Sequence, residues 1–222
     1  MWNLEALSEH LRRLDRQHHL LEVVDSIGRS TALFHFHLFS ARDALEGIID
    51  DDQPAGIENL KLVFGASDNQ DDYNRARLAS EAHVIASLQT VRNEFDIFSQ
   101  LANGLLLADP LPVSKCDITR VHAKMPPSDL SRRLDEVIAS YWFLYVVGFI
   151  NTAKHRKLVQ HIFSVSFEDN AAGIQVGAFE YEGRSYPKLW VREVLEGAVE
   201  AHNAMVDCGR KLNDLCGVSD DA

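Results

Sequence analysis

Val137-Ile138-Ala139-Ser140-Tyr141-Trp142-Phe143-Leu144-Tyr145-Val146-Val147-Gly148-Phe149-Ile150 is the longest apolar stretch of the chain, interrupted only by Ser140 and Gly148. It runs straight into the polar segment Asn151-Thr152-Ala153-Lys154-His155-Arg156. A helix of this length falls short of the roughly 30 Å of a bilayer core, so it reads as a buried core helix with no membrane partner. Pro127 and Ser128 ahead of Leu130 are a helix-start signal. Together these features predict one helix from Ser128 to about Leu158, apolar nearly all round and therefore central.

On the N-terminal side, Asp72 to Leu107 keeps helical spacing in Val84, Ile85, Leu88, Val91, Phe95, Phe98 and Leu101. Asp109-Pro110-Leu111-Pro112 stops that helix, and residues 109 to 127 read as a connection. Further upstream, Leu4, Leu7, Leu11, Leu14, His18 and Leu21 alternate at spacings of three and four. That is a helical seam, expected to kink at Gly28 and to continue to about Ile49 before Asp50-Asp51-Asp52-Gln53-Pro54. A short helical turn is expected around Glu58 to Val63. The seam is also the expected surface for a homodimer through the N-terminal helix.

Downstream of the central helix the period changes to two. His161 to Phe167 reads as a strand, Asp169 to Gly173 as a turn, and Ile174 to Tyr181 as a second strand with a bulge at Gly177. Glu182-Gly183 turns into a short third strand that ends at Pro187. Lys188 to about Leu215 is helical again. The chain is therefore expected to be mainly α, a four- to five-helix bundle with a small antiparallel β-hairpin or meander before the last helix. It is expected to form a single domain over residues 1–222, with the β insertion at about 160–187.

Of 222 residues, 46% are hydrophobic, enough for a real core. The formal charge of −11 opposes broad, non-specific binding to phosphate backbones. Cys116, Cys208 and Cys216 are odd in number and lack Cys-x-x-Cys spacing, which points away from a disulfide framework or zinc site and toward a reducing cytosol. The N-terminal residues lack a basic region followed by an apolar one, so no signal peptide is expected. No P-loop, dinucleotide-binding glycine run or nucleophile elbow is present.

Two polar constellations carry the candidate chemistry. Gln89, Arg92, Asp96 and Asn103 share one helix face, with Arg92 and Asp96 at i,i+4. Asn151 and His155 are also i,i+4, directly below the apolar run, and are expected to meet Arg92 and Asp96. In that arrangement His155 either orients Asp96 or serves as a general base near neutral pH. The cluster Lys154-His155-Arg156-Lys157 is the strongest local basic patch, a candidate for RNA or simply a cationic helix end stabilised by the macrodipole. Other histidines are weaker candidates. His35 and His37, at i,i+2, point to different sides of a helix. His18 and His19 lie beside Asp15 and Glu22 as a possible surface metal site. Glu81-Ala82-His83 and Glu200-Ala201-His202 lack Glu-x-x-His spacing.

The pairing of Val91-Arg92-Asn93-Glu94-Phe95-Asp96 with Asn151-Thr152-Ala153-Lys154-His155-Arg156-Lys157-Leu158 is similar to uncharacterised bacterial helical proteins. Those carry an Arg-x-x-x-Asp helix followed by an Asn-x-x-Lys-His-Arg segment, and they loosely resemble the HEPN superfamily. The resemblance covers about residues 80 to 160. It implies a helical bundle that is either a non-catalytic binding or interaction module or a dimeric, metal-independent ribonuclease with an Arg-x(4–6)-His motif. Arg156 and His161 match that spacing, as do Arg13 with His18, Arg12 with His19, and Arg29 with His35. In the ribonuclease reading, Arg92, Asp96, Asn151, His155 and Arg156 form the catalytic group, with Lys154, Lys157 and Gln89 binding the ligand. A 2′-hydroxyl attacks the adjacent phosphodiester, His155 or His161 moves the proton, and Arg156 or Lys154 steadies the phosphorane; no cofactor is called for. A third possibility is an interior small-ligand pocket lined by the same residues.

Overall fold

The computed structural model describes residues 2–14 and 19–218. Along them run α1 (Leu4–Arg13), α2 (Leu20–Asp43), α3 (Ile57–Val63), α4 (Gln70–Leu106), α5 (Ile118–His122), α6 (Asp129–Ala139) and α7 (Tyr141–His155). Five short strands follow, β1 (His161–Ser166), β2 (Ala171–Val176), β3 (Phe179–Tyr181), β4 (Arg184–Tyr186) and β5 (Leu189–Trp190), before α8 (Val191–Leu215). The protein is mainly helical, with a small antiparallel sheet ahead of the last helix.

The expected central helix is two helices. Ser140 is extended (φ −68°, ψ 149°), and the chain bends by 59° there. Its hydroxyl donates to the Val137 carbonyl (2.7 Å) and accepts from the Phe143 N–H (3.4 Å), closing one helix and opening the next. Apolar periodicity cannot register such a break, because a capping serine costs the pattern only one position. Among the described residues, no single helix is long and apolar enough to cross a membrane; α6 and α7 satisfy that test only as a bent pair.

The first helical break also moves. Gly28 lies inside an unbroken α2, whose Val24 and Ile27 are buried. The chain turns extended at Leu14 instead, after Leu7 and Leu11 have completed the buried face of α1. His18, with the metal site suggested for Asp15, His18 and His19 and the Arg13–His18 match, falls partly outside the described residues. Helix α2 ends at Asp43, and turns occupy 44–48. The 109–127 connection holds a 3-10 turn at Val113–Lys115 as well as α5.

The chain divides into two compact units. One comprises Met1–Leu33, Thr90–Val146 and Val199–Ala222. Its core includes Leu7, Leu11, Phe95, Phe98, Leu130 and Met205. Trp2 is buried against Phe98 and donates its indole N–H to Asn213 Oδ1 (3.0 Å), while Asn213 Nδ2 donates to the Asn3 carbonyl (2.9 Å).

The other unit comprises Phe34–Gln89 and Val147–Ala198 and holds all five strands. The expected second strand is divided at Gly177, whose N–H donates to the Gln160 carbonyl (2.8 Å). This yields a three-stranded antiparallel sheet, β1-β2-β5, and a separate two-stranded ribbon, β3-β4. β1 and β2 pair from His161↔Val176 to Ser166↔Ala171, so the turn lies at 167–170 and β2 begins earlier than expected. Glu182 (φ 50°) and Gly183 (φ 75°) make the tight turn between β3 and β4. Residues 189–190 pair with β2 before α8 starts at Val191. The ribbon packs on α7 at Gly148, where a Cβ would lie 3.0 Å from the Tyr186 ring. That approach explains the glycine inside the apolar run.

Candidate functional site

Arg92, Asp96 and Asn103 find partners within the first unit, and Asn151 and Arg156 within the second. Arg92 and Asp96 form the expected i,i+4 ion pair on α4, both half-buried. Asn103 is buried and grips the return loop, donating to the Leu111 carbonyl (3.0 Å) and accepting its N–H (2.7 Å). Gln89 is half-buried on the same helix. Asn151 donates to the Tyr181 hydroxyl (3.0 Å). Arg156 donates to the Glu180 carbonyl (3.2 Å) and stacks 5.3 Å from the Tyr181 ring centroid. Asn151 and Arg156 thus tie β3 to the end of α7. Lys154, His155 and Lys157 are exposed around them, forming a solvated cationic helix end.

His161, the Arg-x(4–6)-His partner of Arg156, has a fully buried side chain. Its Nδ1–H donates to the Val159 carbonyl (3.1 Å), and Glu81 Oε1 lies 3.6 Å from the same nitrogen. Nε2 meets no hydrogen-bond partner. Burial holds this imidazole below the ordinary histidine range, outweighing the attraction of Glu81. Burial thus disfavours the charged ring, and protonating Nε2 would create a buried donor without an acceptor.

The histidines whose local spacing carried no signal are paired across elements. His202 Nδ1–H donates to Glu94 Oε2 (2.8 Å), with Glu94 fully buried. Thr31 donates to the other carboxylate oxygen (3.3 Å). His37 and His83 bring their Nδ1 atoms within 2.9 Å, so one imidazole donates and the other accepts. Burial, then the neighbouring His83, lowers the pKa of His37. Among the described residues, no three His, Cys, Asp or Glu side chains converge as metal ligands would. Burial pushes the Cys208 thiol up to about 12 and raises Cys116 and Cys216, which disfavours a thiolate nucleophile.

The second unit also contains a groove of about 500 Å³. Its floor is apolar, with Ala41, Ile174, Val191 and Leu195 buried and Leu45 and Ile49 half-buried. Its rim is charged and exposed, with Arg42, Asp43, Glu46, Asp51 and Arg192. Trp190 supplies an aromatic wall, and the Arg192 guanidinium lies 5.7 Å from its ring centroid. None of the sequence-selected residues lines it. Its parts come from the end of α2 and the segment just after it, one serine of α4, the middle of β2 and the β5–α8 junction, a juxtaposition that no local pattern encodes. Compared with protein-family models, with curated proteins and with solved structures, the chain matches none.

Proposed function

We propose that this chain is a non-catalytic binding module, the HEPN-like reading without nuclease chemistry, built as a four- to five-helix bundle and working in a reducing cytosol. The observation that carries the proposal is the groove in the second unit. Its volume falls inside the roughly 300–1,000 Å³ typical of ligand clefts, and an apolar floor beneath a few charged groups is the composition such clefts share. The candidate catalytic side chains support the same reading. Asn151 and Arg156 are occupied in holding β3, and the His161 ring is buried. The test is thermal melting of the purified chain against panels of metabolites and short peptides. A ligand at about 100-fold over its Kd raises stability by about 2.7 kcal/mol. Trp190→Ala should abolish that shift; a shift that survives the substitution removes the groove from the account.

A second reading keeps RNA as the ligand, because Lys154, His155 and Lys157 are exposed together at the end of α7. RNA affinity that falls steeply with salt and is lost on Lys154→Ala with Lys157→Ala would favour it.

A further inference from the structure

We infer that His37 and His83 form a binding site for a divalent transition-metal ion, Cu²⁺ ahead of Ni²⁺ and Zn²⁺, held between α2 and α4. The inference goes beyond the binding-module reading and stands without it. His37 lies inside α2 and His83 inside α4, and both belong to the second unit. Their Nδ1 atoms are 2.9 Å apart. Both residues are half-exposed, so an ion and its water can reach them from solvent.

The spacing is that of two ligands on one ion. Imidazole nitrogens bind such ions at about 2.0–2.1 Å, and at angles of roughly 90–110° two of them stand about 2.9–3.4 Å apart. Here the ring centres are 5.2 Å apart and the planes meet at 39°, so the rings face each other nearly end on and share one N–H. To take an ion, the donor ring moves that proton from Nδ1 to Nε2, and each ring tilts its Nδ1 lone pair toward the metal. Both rings stay neutral throughout, and no net proton is released. The backbone beneath them is fixed. One turn along each helix, Ser80 is fully buried and its hydroxyl donates to the Ala41 carbonyl (3.2 Å). His37 with His83 and Ala41 with Ser80 set α2 and α4 antiparallel in one register, and ligands on rigid helices are held more precisely than ligands on loops.

The donor set decides the class of ion. Imidazole suits Cu, Ni and Zn, whereas Mg²⁺ and Ca²⁺ take oxygen ligands. Between ions of the first group, affinity for a nitrogen site rises to a maximum at Cu²⁺. Among the described residues no third His, Cys, Asp or Glu joins the pair. Two protein nitrogens therefore leave the other coordination positions to water or a small exogenous ligand, unlike the closed set of a structural zinc site. Phe36 packs against both rings, its centroid 5.2 Å from that of His37 and 5.8 Å from that of His83. An apolar neighbour of this kind limits water around the ligands and so tunes the ion they hold.

The test is calorimetric titration of the purified full chain with salts of Cu²⁺, Ni²⁺, Zn²⁺ and Mg²⁺, each alone. The expected result is tight uptake of one Cu²⁺, weaker uptake of Ni²⁺ and Zn²⁺, and no response to Mg²⁺. Electron paramagnetic resonance of the Cu²⁺ form should show splitting by two imidazole nitrogens. His37→Gln and His83→Gln each keep a hydrogen-bonding side chain and remove one ligand. Each should weaken Cu²⁺ by at least the roughly 10–100-fold that loss of an outer-shell partner costs, and should remove the two-nitrogen splitting. His35→Ala, an exposed neighbour on α2, should bind as the wild type does. Nitrogen-15 resonances of the wild-type imidazoles with Zn²⁺ supply a readout that needs no variant, and two rings should be ligated through Nδ1. A two-nitrogen signal and an affinity that persist in both glutamine variants overturn the inference. So does ligation through Nε2 alone, or a wild type that binds Cu²⁺ no more tightly than the double variant.

Discussion

Glu94 and His202 stand 108 residues apart in sequence, and the His202 Nδ1–H donates to the Glu94 carboxylate across 2.8 Å. The carboxylate is fully buried, the imidazole side chain is 5% exposed, and Thr31 binds the second oxygen. Removing one partner leaves the other uncompensated. His202→Ala should therefore cost about 3–5 kcal/mol, while the paired change Glu94→Met with His202→Leu should cost far less, or stabilise. Urea unfolding measures both. Equal losses for the single and paired changes would show that the pair is not the unit of stability.

Gly209 is held to glycine by Trp2. A Cβ at position 209 would fall 2.1 Å from the Trp2 indole, inside any allowed contact. Gly209→Ala should expel Trp2 from its seat, break its bond to Asn213 and cost about 1–3 kcal/mol or more. Tryptophan fluorescence should shift to the red as the indole meets water. An unchanged spectrum and melting point would contradict this packing.

Acid should weaken the second unit through His161 and His37. Both have folded pKa values lowered by burial, with His83 adding to the effect at His37. Above the unfolded value of about 6.5, both are neutral in either state and pH has no leverage. As pH falls below about 6.5 the unfolded chain takes up protons first, so stability declines until the folded values are reached. His161→Asn keeps a donor near the Val159 carbonyl and removes one titrating ring. Its loss of stability between pH 7.5 and 5.5 should be smaller than that of the wild type, as read by denaturant titration at each pH. An identical loss would assign the acid sensitivity elsewhere.

Ser140 joins two helices that the apolar pattern runs together. Ser140→Ala removes both of its capping bonds and should cost about 0.5–2 kcal/mol. Circular dichroism should report a lower melting point with little change of helix content at 20 °C or so. A melting point equal to wild type would mean that packing alone sets the corner.

The elements whose signals are local were legible in the sequence. Helix α4 was readable from its 3-4 spacing, and Val84, Leu88, Val91, Phe95, Phe98 and Leu101 are all buried as that spacing requires. The change of period at His161 marked β1. The misplaced boundaries lie where one polar group overrides a pattern, as at Ser140, or where packing keeps a glycine helical, as at Gly28. Of the seam read as a possible partner surface, Leu7 and Leu11 are buried and Leu14 is exposed. The polar groups were harder to read because their partners are remote. Spacing identified Arg92 with Asp96, a contact within one helical turn. It could not identify Glu94 with His202, His83 with His37, or Glu81 with His161, which join different elements. The groove lies beyond sequence pattern for the same reason, since residues from four separate segments assemble it.

Incubation of the purified chain with RNA, in the presence of a chelator, tests the central claim most directly. His155 and the cations beside it are exposed on α7, so a substrate can reach them if they act as a nuclease. The account predicts RNA that stays intact over long incubation and is indistinguishable from RNA kept with His155→Ala protein. Cleavage by the wild type that disappears in His155→Ala and Arg156→Ala would contradict it.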